Sequence, residues 1–310
     1  MNTISDNVLV SVVMATYNGR EFLDQQLQSI LDQTWTNIEI IICDDNSTDG
    51  TQDIILSFAK KDNRIKYHFN KTNSGVNKNF ESGFLKAGGD IIAIADQDDV
   101  WKKEKIEEQL KLFTGDNITL VHSASAQFSD NDLPVHKLEA KAARPMTGND
   151  SRRLLIRNSI SGHNIIFRKS LLQHILPIPA TVMYDWWRCE VATCTGNIAA
   201  TKKILAYHRK HSNNITLYNR TTAKQTFKEY AERKRALETF LTIRLLPQQT
   251  KTFAKKLLEK LSTLDNKTFS RDLFLFLFKN APVLFFYKKK KFPLFSYLKT
   301  AYRMSFAIKD

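Results

Sequence analysis

Cysteine is scarce in this chain. Cys43, Cys189 and Cys194 are the only three in 310 residues, too few and too scattered for a disulfide scaffold or a cysteine-rich zinc site. A reducing compartment is the expectation. Long apolar runs are also missing. No uninterrupted stretch reaches the length of about 18 residues that a clean transmembrane helix needs. Residues 1–10, MNTISDNVLV, show no basic start followed by a long apolar run, so no secretory signal is expected. Neither GxGxxG nor a glycine loop ending in Gly-Lys-Ser or Gly-Lys-Thr occurs. A dinucleotide dehydrogenase and a P-loop NTPase are therefore disfavoured. Internal repeats and low-complexity linkers are absent as well.

Acidic residues run short at one end only. Residues 1–219 hold 25 Lys/Arg and 25 Asp/Glu, whereas residues 220–310 hold 21 and 7. The formal charge of +14 thus belongs to the last stretch alone, and such a block favours an anionic partner, a membrane surface or a nucleic acid. The whole chain is 42% apolar and 25% charged, a globular composition that argues against disorder.

The first 120 residues alternate apolar runs with helical patterns. Val8–Ala15 is β-branched and nearly continuous, as a strand buried on both faces should be. Helix over Glu21–Gln33, strand over Ile38–Cys43, helix over Asp49–Lys61 with Asp49 near its cap, and strand over Arg64–Phe69 follow. Then come helix over Val76–Ala87, strand over Asp90–Ala95, helix over Lys102–Phe113 and strand over Ile118–His122. This alternation predicts an α/β protein with right-handed crossovers and a mostly parallel sheet covered by helices. Farther on, Ser161–Lys169 reads as a turn entering a strand, Tyr184–Thr195 as a helix and Asn197–His208 as one or two strands. The polar stretch Ser129–Pro134 interrupts the pattern. Beyond Arg220 the chain reads as helical, with segments near 231–246 and 251–264.

Ligands of open parallel sheets bind beyond the carboxyl ends of the strands. After the first strand come Thr16, Tyr17, Asn18 and Gly19; after the second, Asp44, Asp45, Asn46 and Ser47; after the fourth, Asp96, Gln97, Asp98 and Asp99. Taken singly, such runs are also what a turn, a helix cap or a solvated loop needs. Together they bring five carboxylates to one edge. Asp96, Asp98 and Asp99 repel one another unless a cation or donors compensate. Hard oxygen ligands without thiolate point to Mg2+ or Mn2+, an ion that completes its shell with phosphate oxygens. A nucleotide diphosphate held by metal on an aspartate cluster fits these residues.

SVVMATYNG, IIICDDNSTDGT and ADQDDVW, with MYDWW at 183–187 and YHRKHSNN at 207–214, resemble the family 2 glycosyltransferases, and among them bacterial polysaccharide enzymes such as rhamnosyltransferases. The resemblance covers roughly residues 8–215. It implies the GT-A fold: a mostly parallel, Rossmann-like sheet flanked by helices, here followed by a basic helical region. It divides the chain into a nucleotide-sugar part (1–122), an acceptor part of the same GT-A domain (123–219) and a basic helical region (220–310). Carried over, it gives Tyr17 a place against the base with Thr16 beside it, and Asn18 a place in the same nucleotide-binding set. Asp45 accepts from the pyrimidine N3–H and Asp44 orients that loop. Asp98 lies near the ribose and metal, and Asp99 is the main metal ligand. Asp185 is the catalytic base. His211, with His208, reaches the metal or diphosphate, or is an ordinary polar residue at a strand edge. Trp186 and Trp187 are a sugar platform or core, and His163 is a contact on the acceptor side.

The implied activity is inverting transfer of a sugar from a UDP- or dTDP-sugar, dTDP-rhamnose among them, with Mn2+ or Mg2+. The implied acceptor is a saccharide or a polyprenyl-diphosphate-linked sugar, in O-antigen or capsule synthesis. The implied location is cytoplasmic, peripheral on the inner face of the plasma membrane, and nucleic acid is not an expected partner. Within the basic region, Asp272–Tyr287, rich in Phe and Leu, and the following Lys288–Lys291 read either as a membrane-interface segment or as a helical subdomain packing its Phe inward. The rival from another class is a non-enzymatic protein that binds nucleic acid or membrane through its basic end. It leaves the acidic strand ends unexplained, since they repel phosphates in the absence of a metal. A processive synthase would carry several spans and a QxxRW segment, and neither is found.

Overall fold

The computed structural model describes residues 5, 7–129, 144–211, 223–265, 269–288 and 293–306. The chain opens with β1 (Val10–Thr16), α1 (Leu23–Leu31), β2 (Ile38–Asp44), α2 (Thr51–Ala59), β3 (Ile65–Phe69), α3 (Val76–Lys86) and β4 (Ile91–Asp96). β1 pairs in parallel with β2 and with β4, and β2 with β3. In β1 and β2 the residues alternate between two cores. Val13, Ile41 and Cys43 face one core, and Val10, Val12, Met14, Ile38, Ile40 and Ile42 the other. That double burial explains why these strands read as unbroken Val/Ile runs. Each such side chain contributes about 1.5–3 kcal/mol. α3 lies so close to β1 that a Cβ on Gly83 would stand 2.4 Å from Val13 Cγ1, so glycine is required there.

The parallel order then changes. β5 (Val100–Trp101) and α4 (Lys105–Leu110) come next, followed by β6 (Ile118–Phe128), β7 (Ile165–Arg168), α5 (Leu172–Ile175), α6 (Tyr184–Thr195) and β8 (Asn197–Arg209). The eight strands lie in the order β3-β2-β1-β4-β7-β6-β8-β5. β7 is antiparallel to both β4 and β6, β8 is parallel to β6, and β5 is antiparallel to β8. The helix expected over Lys102–Phe113 is shorter because Val100 and Trp101 pair with Tyr207 and Ala206. β6 outruns the expected His122 because β8 pairs with it as far as Phe128.

The remaining elements are helices: α7 (Ala223–Phe240), α8 (Gln248–Ser262), α9 (Arg271–Lys279), α10 (Ala281–Leu284) and α11 (Pro293–Met304). Their apolar residues Leu237, Phe240, Leu257, Leu277 and Phe285 belong to the same buried cluster as Val13, Phe167 and Trp187. The core therefore runs unbroken from sheet to last helices. One side of the segment Asp272–Tyr287 packs inward, with Leu273, Leu277, Leu284, Phe285 and Phe286 buried, while Leu275 is exposed. Of Lys288–Lys291, Lys289–Lys291 lie outside the described residues, as do most of Ser129–Pro134 and the end of the 207–214 segment. No helix of the described residues is long and apolar enough to cross a membrane.

Candidate active site

Register places three strand ends side by side: Thr16 pairs with Asp44, and Ala15 with Asp96. Asp44 is fully buried and ties the ends of β1 and β2 to the loop and helix that follow β2. It accepts from Thr16 Oγ1 (2.8 Å), Ser47 N (2.9 Å), Ser47 Oγ (2.5 Å) and Gln52 Nε2 (2.8 Å). Asn18, in the left-handed region at φ 46°, accepts from Thr48 N and donates its own N–H to Ser47 Oγ. The loops after β1 and β2 are thus one hydrogen-bonded unit. Tyr17 stands half exposed above it, its backbone held both ways by the Gln97 amide.

Asp45 has a different job. Its Oδ1 accepts from Asn70 Nδ2, Ser74 N and Ser74 Oγ (2.8–2.9 Å), and its Oδ2 from Gly75 N (2.8 Å). Burial pushes its pKa up, but these donors outweigh burial and hold it below the usual carboxylate range. Oδ1 is saturated, and Oδ2 keeps one free lone pair for a ligand donor.

At the end of β4 the acids divide. Asp99 is fully buried. Its Oδ1 lies 3.0 Å from His208 Nδ1 and accepts from Arg209 N, and its Oδ2, otherwise unpartnered, faces His163 Nδ1 at 3.3 Å. Burial raises its pKa, but the two imidazoles and the Arg209 N–H outweigh burial and lower it. His163 and His208 stack in parallel, ring centroids 4.8 Å apart. These three form the one group of at least three clustered His and acidic ligand atoms among the described residues. Asp98 instead turns to the open side, with Oδ2 2.7 Å from His211 Nε2. Burial, then the charges of Asp99 and Asp96, push its pKa up. Beneath them Lys105 is fully buried, its Nζ donating to His163 O (2.5 Å) and resting 3.5 Å from the Trp101 ring.

A cleft of about 960 Å3 opens over this edge. Thr16, Tyr17, Asn18, Asp45, Asp96, Asp98, His163, Asp185, His208 and His211 line it, and Asp44 and Asp99 lie behind its wall. Asp185 enters from the first turn of α6, half-buried, with Oδ1 accepting from Trp186 N (2.7 Å). Burial pushes its carboxyl up to about 6, against the opposing charge of Arg188. The Arg188 guanidinium itself is buried between the rings of Phe84, Phe167 and Tyr184 (4.7, 4.7 and 5.3 Å). Of the two tryptophans, Trp187 is core, donating to Ile175 O, and Trp186 lines the cleft while donating to Leu154 O.

Several lining residues escape sequence reasoning. Glu229, Glu232 and Arg233 of α7 form one wall and Ile156–Ser161 another. They are joined where Arg233 Nε donates to Ile156 O. Tyr184 donates to Asp96 Oδ1 (3.3 Å), and its hydroxyl leaves no room for a side chain at Gly162, whose Cβ would stand 2.4 Å away. His163 carried one signal, its Ser-Gly-His-Asn turn, but its pairing with Asp99 did not show.

Residues 11–176 match the family profile described as Glycosyl transferase family 2. The chain belongs to this family. Among its relatives, an uncharacterized glycosyltransferase of Nostoc sp. is 29% identical over 72% of this chain and 71% of its own length. The Escherichia coli enzyme WfgD, named as a UDP-Glc:alpha-D-GlcNAc-diphosphoundecaprenol beta-1,3-glucosyltransferase, is 32% identical over 41% of this chain and half of its own. Staphylococcus aureus TarS 1–349, solved with UDP-GlcNAc, superposes with a TM-score of 0.61 at 18% identity, over 95% of this chain and 90% of its own. The mannosyltransferase PcManGT of Pyrobaculum calidifontis, solved with GDP-Man and Mn2+, gives 0.58 at 16%, over 94% and 78%. The fold is GT-A, an α/β sheet flanked by helices, and the family 2 chain is a glycosyltransferase.

Proposed function

We propose that this family 2 enzyme transfers a sugar with inversion from a UDP- or dTDP-sugar, dTDP-rhamnose among the donors. In this reading the acceptor is a saccharide carried on polyprenyl diphosphate at the cytoplasmic face of the membrane, during synthesis of a surface polysaccharide such as O-antigen or capsule. One observation carries the proposal. Asp45, the Asp98–His211 pair and Asp185 open on a single cleft, so a nucleotide diphosphate and an acceptor hydroxyl meet there. The name of WfgD, with a UDP-sugar donor and a lipid-linked acceptor, supports the choice of substrates. In this reading residues 1–122 hold the donor, and residues 123–219 with the α7 wall hold the acceptor.

The donor set suits a hard divalent ion. Asp98 and His211 supply oxygen and imidazole nitrogen at the cleft surface, with Asp96 beside them, and the mutual repulsion of the acids is what a cation relieves. Asp98 and His211 would hold Mn2+ or Mg2+ at the cleft surface. Asp99, expected from the sequence as the main ligand, is fully buried with its oxygens on His208 and facing His163, and would support the ion from beneath. Such an ion, when bound, neutralises charge on the leaving diphosphate as a Lewis acid. The chain does the rest. Tyr17 covers the base, and the free lone pair of Asp45 Oδ2 receives a base N–H. Asp185, with a pKa near 6, is ionised at neutral pH yet basic enough to take the proton of the attacking hydroxyl. The attack comes from the face opposite the diphosphate, in one displacement. Holding both substrates in one cleft supplies much of the remaining rate.

The test is a panel of nucleotide sugars assayed for hydrolysis and for transfer to saccharide and lipid-linked acceptors. Turnover of a pyrimidine-diphosphate sugar, lost in Asp185→Asn, is the expected result. No metal-stimulated turnover of any donor would remove the proposal.

A further inference from the structure

The last helix leaves an apolar side bare. Tyr297 and Ala301 of α11 are buried, with the Tyr297 ring 6.3 Å from that of Phe285. On its other side Leu294, Phe295, Leu298 and Tyr302 are 72, 74, 41 and 52% exposed, and Phe306 just beyond is 38% exposed. Positions 294, 298 and 302 recur every four residues along α11, so they share one face, and the Phe306 ring beyond its end lies 4.8 Å from that of Tyr302. Among the described residues, five of the eleven exposed large apolar side chains fall in this short stretch. They form a patch rather than scattered singles, and such a patch marks a contact surface. The patch continues through Phe269 and Phe274, whose rings lie 5.8 and 6.3 Å from Tyr302.

The charge along this stretch has one sign, and exposed Asp272 stands just before it. Residues 273–309 contain eight Lys/Arg and no Asp/Glu. Lys299 and Arg303 stand exposed on α11. Burial, and then the charges of Arg157, Arg303 and Lys299, lower the pKa of Lys288, so these four cations crowd together. Arg157 lies over the Tyr287 ring (5.1 Å) and lines the active-site cleft. The basic cluster thus reaches from the bare helix to the rim of the site.

The charge decides the occupant. A second copy would set like charge against like. A nucleic acid would use the cations and leave Leu294, Phe295 and Leu298 in water. An anionic lipid surface takes both, apolar side chains into the acyl boundary and cations onto the headgroups. We propose that α11 is an interfacial helix that lays Leu294, Phe295, Leu298 and Tyr302 into an anionic bilayer, with Lys299 and Arg303 at the headgroups and the Arg157 rim of the cleft turned toward the membrane. The surface is centred on residues 293–306; of the apolar run 272–287 only its outer side, at Phe274, borders it, and Leu273, Leu277, Leu284, Phe285 and Phe286 are core. The docking deepens the reading of a membrane-borne acceptor and rests on that reading only for the use made of the cleft rim.

The experiment is co-sedimentation of the full chain with phosphatidylcholine vesicles, with and without phosphatidylglycerol. Wild type is expected to pellet with the phosphatidylglycerol vesicles only. Leu294→Ser/Phe295→Ser and Lys299→Gln/Arg303→Gln should each weaken partitioning about tenfold or more, with circular dichroism and UDP affinity unchanged. These residues are exposed, so the variants keep their core. Failure of wild type to pellet, or equal pelleting of the variants, overturns the proposal. So does a dimer in sedimentation equilibrium that Leu294→Ser/Phe295→Ser dissolves, or salt-sensitive RNA binding that the same pair leaves intact. Vesicle binding without any UDP or dTDP binding would retire the proposed pyrimidine-diphosphate donor and leave the docking standing.

Discussion

The Tyr184 hydroxyl donates to Asp96 Oδ1 across 3.3 Å, tying the first turn of α6 to the carboxyl end of β4. Asp185 is the next residue along that turn, and Asp98 the next acid along that loop. The contact therefore sets the proposed base against the proposed diphosphate site. Its geometry depends on Gly162, since any Cβ there would collide with the same hydroxyl.

Gly162→Ala should accordingly impair transfer more than folding. The Tyr184 ring must move, and the two halves of the site lose their spacing. The expected outcome is a kcat lowered by about tenfold to a hundredfold, with UDP affinity within a few-fold of wild type. Unchanged kcat would show that the spacing is set elsewhere.

Asp185→Asn should reduce transfer by about 10²–10⁴-fold while UDP binding in Mn2+ persists. The same substitution should stabilise the protein at neutral pH. The folded carboxyl titrates near 6 instead of 3.8, so the folded state holds its proton more tightly than the unfolded chain. Stability then falls as pH rises from about 4 to about 6. Removing the charge recovers about 3 kcal/mol at pH 7 and little below pH 4. Denaturant titrations at the two pH values check this.

The pH profile follows from the same group. The kcat should fall tenfold per pH unit below about 6, as Asp185 takes up its proton. Arg188, buried beside it, opposes that uptake. Arg188→Met removes a buried charge that makes no hydrogen bond, a change that folds tolerate, and should move the inflection to higher pH. An inflection that stays in place would take Arg188 out of the account.

Asp45→Ala should cost stability as well as binding. It strands Ser74 N without an acceptor and leaves Gly75 N only Asn73 Oδ1 (3.1 Å), a loss of about 1–3 kcal/mol. It also frees the 70–75 loop at the cleft wall. Thermal melts and UDP titration should both report the change.

How much of this was legible in the sequence depended on where each residue's partners lie. β1, β2 and β4 showed themselves because burial on both faces writes an unbroken Val/Ile run. β5 did not, because two residues carry no period and its partners Tyr207 and Ala206 come far later in the chain. Asp45 and Asp98 were readable as strand-end acids. That Asp98 faces the cleft while Asp99 lies beneath it was not, since His163, His208 and Arg209 decide it. α11 shows the limit most clearly. Its pattern is amphipathic whether its apolar residues are packed or bare, and only the neighbours of Tyr297 and Leu298 tell the two apart.

The central claim is tested most directly by calorimetric titration of UDP and dTDP, with and without Mn2+, into wild type, Asp98→Ala and Asp185→Asn. The account predicts binding at least about tenfold tighter with the ion, lost in Asp98→Ala and kept in Asp185→Asn. Binding indifferent to Mn2+ and to Asp98, or lost with Asp185, would contradict it.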